Sequence, residues 1–116
     1  MIDALNVIAA LLTIGFGLFG FLAPRYTASA LDLAPTDSTM GLSEMRASVG
    51  GLFVAAGAAA IWLGDPLGYA MIGFAFAGAA TGRALSLVFD KPPVGKVLVF
   101  GGIEVALSAW FLLANL

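Results

Sequence analysis

Four long apolar runs, separated by short polar breaks, dominate what this chain can fold into. They cover residues of about 4–22, 43–63, 67–88 and 97–114. Each is close to the roughly 20 residues that a helix needs to cross a bilayer. In lipid a backbone must satisfy its own hydrogen bonds, so apolar runs of this length imply helices. Composition supports this reading. Hydrophobic residues make up 61% of the 116-residue chain and charged residues 10%, against about 25% charged in an ordinary soluble domain. The expected fold is all-α: one transmembrane domain over residues 1–116, built as a four-span helical bundle.

The breaks carry the topology. Arg25, Arg46, Arg83, Lys91 and Lys96 all fall in or beside the first and third connections. Neither terminus nor the second connection holds a Lys or Arg. By the positive-inside rule, both termini lie on the non-cytoplasmic side of a bacterial inner membrane. Trp62, Tyr69 and Trp110 fall near the outer interface and Tyr26 near the inner one, as an aromatic belt requires. Residues 7–22 resemble the core of a secretory leader, but Asp3 stands where a leader carries a basic residue. The stretch is therefore read as a retained first helix.

Local signals mark the ends. Pro24 and Arg25 stop the first span, and residues 31–33 suggest a short interfacial turn. Ser43 is a suitable N-cap for the second span, with Glu44 in its first turn. Gly64, Asp65 and Pro66 predict a tight turn, and Pro92 and Pro93 break the helix before the last span. Small residues spaced four apart, at Gly78 and Gly82, Ala55 and Ala59, and Gly102 and Ala106, suit close helix packing. Gly50 and Gly51 add to that set. A self-association face would use the same pattern.

Several classes of chemistry are excluded. The chain has no cysteine and no histidine, so disulfides, thiol redox chemistry, thiolate or imidazole metal sites and His-based catalysis are all absent. Asp32 and Asp37 lack the dense oxygen-ligand spacing of a Ca²⁺ loop. No metal, no catalytic residue and no nucleic-acid partner is expected. A net charge of −2 is too small and scattered for the last of these.

What remains is a layer of charge within the spans. At 1.5 Å per residue, Arg46 lies about 6 Å below the inner boundary, Arg83 about 8 Å and Glu104 about 11 Å, with Glu44 at the boundary itself. Their formal charges cancel, and an unpaired charge at such depth is costly. Glu104 is expected to face Arg83, Arg46 or both. Two readings stay open. The layer is a polar clasp that fixes helix partners, or it is a ligand site with Ser48, Thr81, Ser86 and Ser108 nearby. Such a site suits a lipid head group, a quinone oxygen, a small anion or a transferred proton.

Three stretches together carry a family resemblance: GLSEMRASVGG at 41–51, TGRALSLVFD at 81–90, and Gly102 to Glu104. The chain resembles a family of small bacterial four-helix membrane proteins known as a domain of unknown function. In that family a Ser-Glu-x-Arg-x-x-x-Gly-Gly signature opens the second helix. More distantly it is similar to DoxX-like membrane proteins, some of which are linked to quinone redox chemistry. The resemblance implies a residue set of Glu44, Arg46, Gly50, Gly51, Gly82, Arg83, Asp90 and Glu104. It implies no activity. The leading expectation is a non-enzymatic accessory or structural subunit that packs as a homo-oligomer or within a larger membrane complex. No cofactor is required, although a bound lipid or quinone fits the charged layer. The alternatives are a small oligomeric transporter or channel, and a lipid- or quinone-binding protein, each using Glu104, Arg83 and Arg46.

Overall fold

A computed structural model describes residues 2–116. Its helices are α1 (Ile2–Leu22), α2 (Pro24–Ala30), α3 (Met40–Leu63), α4 (Pro66–Phe89) and α5 (Val94–Asn115). No strand occurs among the described residues. α1, α3, α4 and α5 are each long and apolar enough to cross a membrane. The chain divides into two compact units, one holding residues 3–63 and the other residues 64–116.

The spans begin at, or a few residues before, the starts that their sequence signals suggest. α3 starts at Met40, not Ser43, with Thr39 at the cap position and the Ser38 hydroxyl accepting from the Met40 amide at 3.2 Å. α5 starts at Val94, directly after Pro93. The first connection is more ordered than its polarity suggests. Pro24 ends α1 but also opens α2, because proline suits the first turn of a helix, where its missing N–H costs nothing. α2 buries Pro24 and Ala28, and the chain turns at Leu31 and Asp32.

In the first unit, α1 presents Asn6, Ala9, Ala10, Thr13, Gly17 and Gly20 as one buried stripe at helical spacing. α3 meets it at backbone distance. A Cβ placed on Gly57 would lie 2.9 Å from the Ala10 carbonyl oxygen, and one on Gly20 would lie 2.3 Å from that of Val49. The seam therefore consists of Gly17 and Gly20 on α1 and Gly50 and Gly57 on α3. α3 is not regular where it meets Gly20. Residues Ala47–Gly51 form a π turn, and Val49 leaves helical geometry at φ −108°, ψ 16°. A single such turn is how a helix absorbs one extra residue.

The second unit is an antiparallel hairpin of α4 and α5. Gly64, at φ +64°, makes the turn that leads into it, a conformation that costs a residue with a Cβ. Asp65 caps α4 by accepting from the Leu67 amide at 2.8 Å, with Pro66 in the first turn. Asp65→Ala should lower hairpin stability by about 1 kcal/mol, read as a drop in the thermal unfolding midpoint in detergent. An unchanged midpoint would show that the cap carries no stability.

The hairpin seam is apolar at its open end, away from the connection at residues 90–93. Tyr69 stacks on Phe111, with ring centroids 6.1 Å apart and planes 9° from parallel. Tyr69 is thus buried in the hairpin rather than displayed as an interfacial anchor. Gly73 follows one turn later, where a Cβ would sit 2.9 Å from Phe111 and Leu112 side-chain atoms. Gly78 and Gly82 lie off this face. A Cβ at either would meet nothing within 4 Å, so this pair is open where sequence spacing suggested packing.

Candidate functional site

The α4 seam runs through Tyr69, Gly73 and Phe76, and the same helical spacing carries it to Arg83. On α5 the corresponding stripe runs back from Phe111 through Leu107 to Glu104. The two ionisable residues therefore continue the apolar seam toward the connection at residues 90–93. Arg83 lies six residues before the end of α4, and Glu104 ten residues after the start of α5. Side chains on a helix lean toward its N-terminus. α4 and α5 are antiparallel, so the arginine leans into the span and the glutamate leans back toward the connection. The two meet despite their different depths.

Arg83 Nε donates to Glu104 Oε1, forming an ion pair between α4 and α5. Two further contacts on α5 fix the arginine. Its Cζ lies 5.4 Å from the Phe100 ring centroid, within cation–π range. Its Cδ would lie 3.4 Å from a Cβ on Gly101, so the missing side chain there leaves room for the arginine stem. Phe100 and Gly101 were not singled out from sequence. They stand four and three residues before Glu104, and that spacing was the available signal.

The pair is asymmetric. The Glu104 side chain is 9% exposed and that of Arg83 34%. Glu104 Oε2 is buried and has no hydrogen-bond partner. A buried polar atom normally finds one, and leaving it unmet costs about 1–3 kcal/mol. The carboxylate can thus accept a hydrogen bond from a hydroxyl or amide donor while Arg83 holds its other oxygen.

The other candidate residues lie in the first unit. The Arg46 side chain donates from Nη1 to the Phe21 carbonyl at 2.8 Å, satisfying an acceptor at the C-terminal end of α1. Glu44 is exposed, and its backbone carbonyl accepts the Ser48 hydroxyl at 2.7 Å. Gly50 packs against the Phe21 backbone, while a Cβ on Gly51 would stand 3.5 Å from the Arg46 carbonyl oxygen. Thr81 turns its hydroxyl onto the Ala77 carbonyl of its own helix at 2.8 Å. No group of three His, Cys, Asp or Glu side chains gathers among the described residues. Buried uncharged polar residues escaped the sequence reading. Thr13 bonds back to the Ala9 carbonyl at 3.0 Å, and Asn115 donates to that of Phe111 at 2.8 Å.

Four helices of membrane-spanning length, with an ion pair joining the last two, define a small multi-pass membrane protein. The chain belongs to the family described as Domain of unknown function (DUF4345), which matches residues 2–115. No curated protein and no solved structure matches it.

Proposed function

We propose that this protein is a non-enzymatic accessory subunit of a bacterial inner membrane. It packs against copies of itself or a larger membrane complex, and both termini lie outside the cytoplasm. One observation carries the reading: almost the whole chain is committed to membrane-spanning helices. The longest connection covers residues 23–39, and even that contains α2. The connections between the spans are short, which favours association through helix faces. These display Leu85, Val88, Leu98 and Val105, each more than half exposed. The lack of cysteine and histidine supports a role without chemistry of its own.

A second reading rests on the unpartnered Glu104 Oε2. A clasp alone would satisfy both carboxylate oxygens. A vacant acceptor beside a fixed guanidinium suits a lipid-soluble ligand with a hydroxyl donor, such as a quinol or a lipid head group.

Native mass spectrometry after gentle extraction from the native membrane separates the two. The accessory reading expects a stoichiometric complex or homo-oligomer, and a lone monomer would overturn it. The ligand reading expects a co-purifying quinone or lipid that Glu104→Gln removes. If the variant retains the ligand, Glu104 does not bind it.

A further inference from the structure

The first unit carries two shallow grooves that the ion pair of α4 and α5 does not explain. One, of about 370 Å³, is lined by Arg25, Ser29, Asp32 and Leu42 among others. The second, of about 570 Å³, is lined by Thr39, Leu42, Ser43 and Arg46. Leu42 belongs to both, so the grooves adjoin and place an arginine and a serine hydroxyl on each side of it.

Neither arginine has an acidic partner among the described residues. Arg25 is exposed. Arg46 is pinned through one nitrogen to the Phe21 carbonyl, which holds its head in place and leaves its other donors to spare. The level is that of a membrane interface. Arg25 stands three residues beyond the end of α1. Arg46 lies about 9 Å along α3 from its start. Beside Arg25, Tyr26 is 66% exposed, with its ring tilted against Phe19 at 6.2 Å. An exposed tyrosine at a span end is the mark of the headgroup layer.

We propose that these adjoining grooves bind a glycerophospholipid with an anionic headgroup. Arg25 and Arg46 hold the phosphodiester with help from the Ser29 and Ser43 hydroxyls, and Leu42 packs against the lipid's apolar part. The site is built entirely from residues of the first unit and holds whether or not the protein has a partner subunit.

The test reconstitutes the full chain with vesicles of equal parts phosphatidylcholine and phosphatidylglycerol and counts retained lipids by native mass spectrometry. Phosphatidylglycerol should be retained in preference. Each arginine near a membrane surface is worth about a fivefold change in binding. Arg25→Gln should therefore lower retention about fivefold and the double variant with Arg46→Gln about 25-fold, while Arg25→Lys keeps most of it. Arg46 also bonds to the fold, so Arg25→Gln is the deciding variant. Retention of the two lipids in the proportions supplied would overturn the proposal, as would Arg25→Gln behaving like the parent. Displacement of phosphatidylglycerol by millimolar inorganic phosphate would also overturn it, in favour of a soluble phosphate ligand.

Discussion

Arg83→Ala should destabilise the protein by about 3–5 kcal/mol, more than the loss of its partner does. The order follows from burial. With Arg83 removed, Glu104 keeps a carboxylate at 9% exposure with neither oxygen satisfied, and its side chain is too short to reach the interface. With Glu104 removed, Arg83 remains 34% exposed and six residues from the helix end. It can reach toward the headgroups along its apolar stem. Glu104→Ala should therefore cost less, about 2 kcal/mol. Replacing both residues with leucine should bring stability back to within about 1 kcal/mol of the parent, because a buried pair repays little more than its own desolvation. Thermal unfolding in detergent of the parent, the two alanine variants and the double alanine variant gives the coupling between the sites as a double-mutant cycle. If Arg83→Ala unfolds at the parent's midpoint, the pair does not hold the hairpin together.

Gly20→Ala and Gly50→Ala should each cost about 3 kcal/mol or more, at the upper end of what overpacking produces. A Cβ on Gly20 would stand 2.3 Å from the Val49 carbonyl oxygen, and one on Gly50 would stand 2.6 Å from the Phe21 amide nitrogen. Both obstacles are backbone, which no rotamer change can move. α1 and α3 would have to separate along their seam. Gly78→Ala and Gly82→Ala are the controls. They add the same methyl in a helix interior with open space around it, so they should be neutral or stabilise by up to about 1 kcal/mol. Equal melting of all four variants would show that α1 and α3 do not touch as closely as the structure has them.

The contrast shows what composition and spacing could reveal. Four helices of spanning length were legible because apolar runs near 20 residues have few alternatives in lipid. Arg83 and Glu104 stood out because charge is rare in such runs. Spacing could not distinguish which small residues form the seam. Gly78 and Gly82 match the close-packing pattern better than Gly20 and Gly50 do, yet they face open space. The direction a glycine faces depends on the neighbouring large residues, here Tyr69 and Phe76, whose face of α4 is turned toward α5. The π turn at Ala47–Gly51 was also hidden. It lies where α1 approaches at Gly20, and no local signal in α3 encodes it. Position along the sequence groups Arg46 by depth with Arg83 and Glu104. Depth along a span says nothing about azimuth, and its donor goes to the Phe21 carbonyl.

The opposed lean of Arg83 and Glu104 has a consequence for biogenesis. Each residue alone would burden its helix by about 3 kcal/mol on entering the bilayer. Three residues join α4 to Val94 beyond the Asp90 cap, so the two helices leave the ribosome almost together. If they partition as a closed hairpin, their charges cancel before either meets hydrocarbon. On that route the pair would ease both segments into lipid as one unit before it serves as a bond in the finished fold.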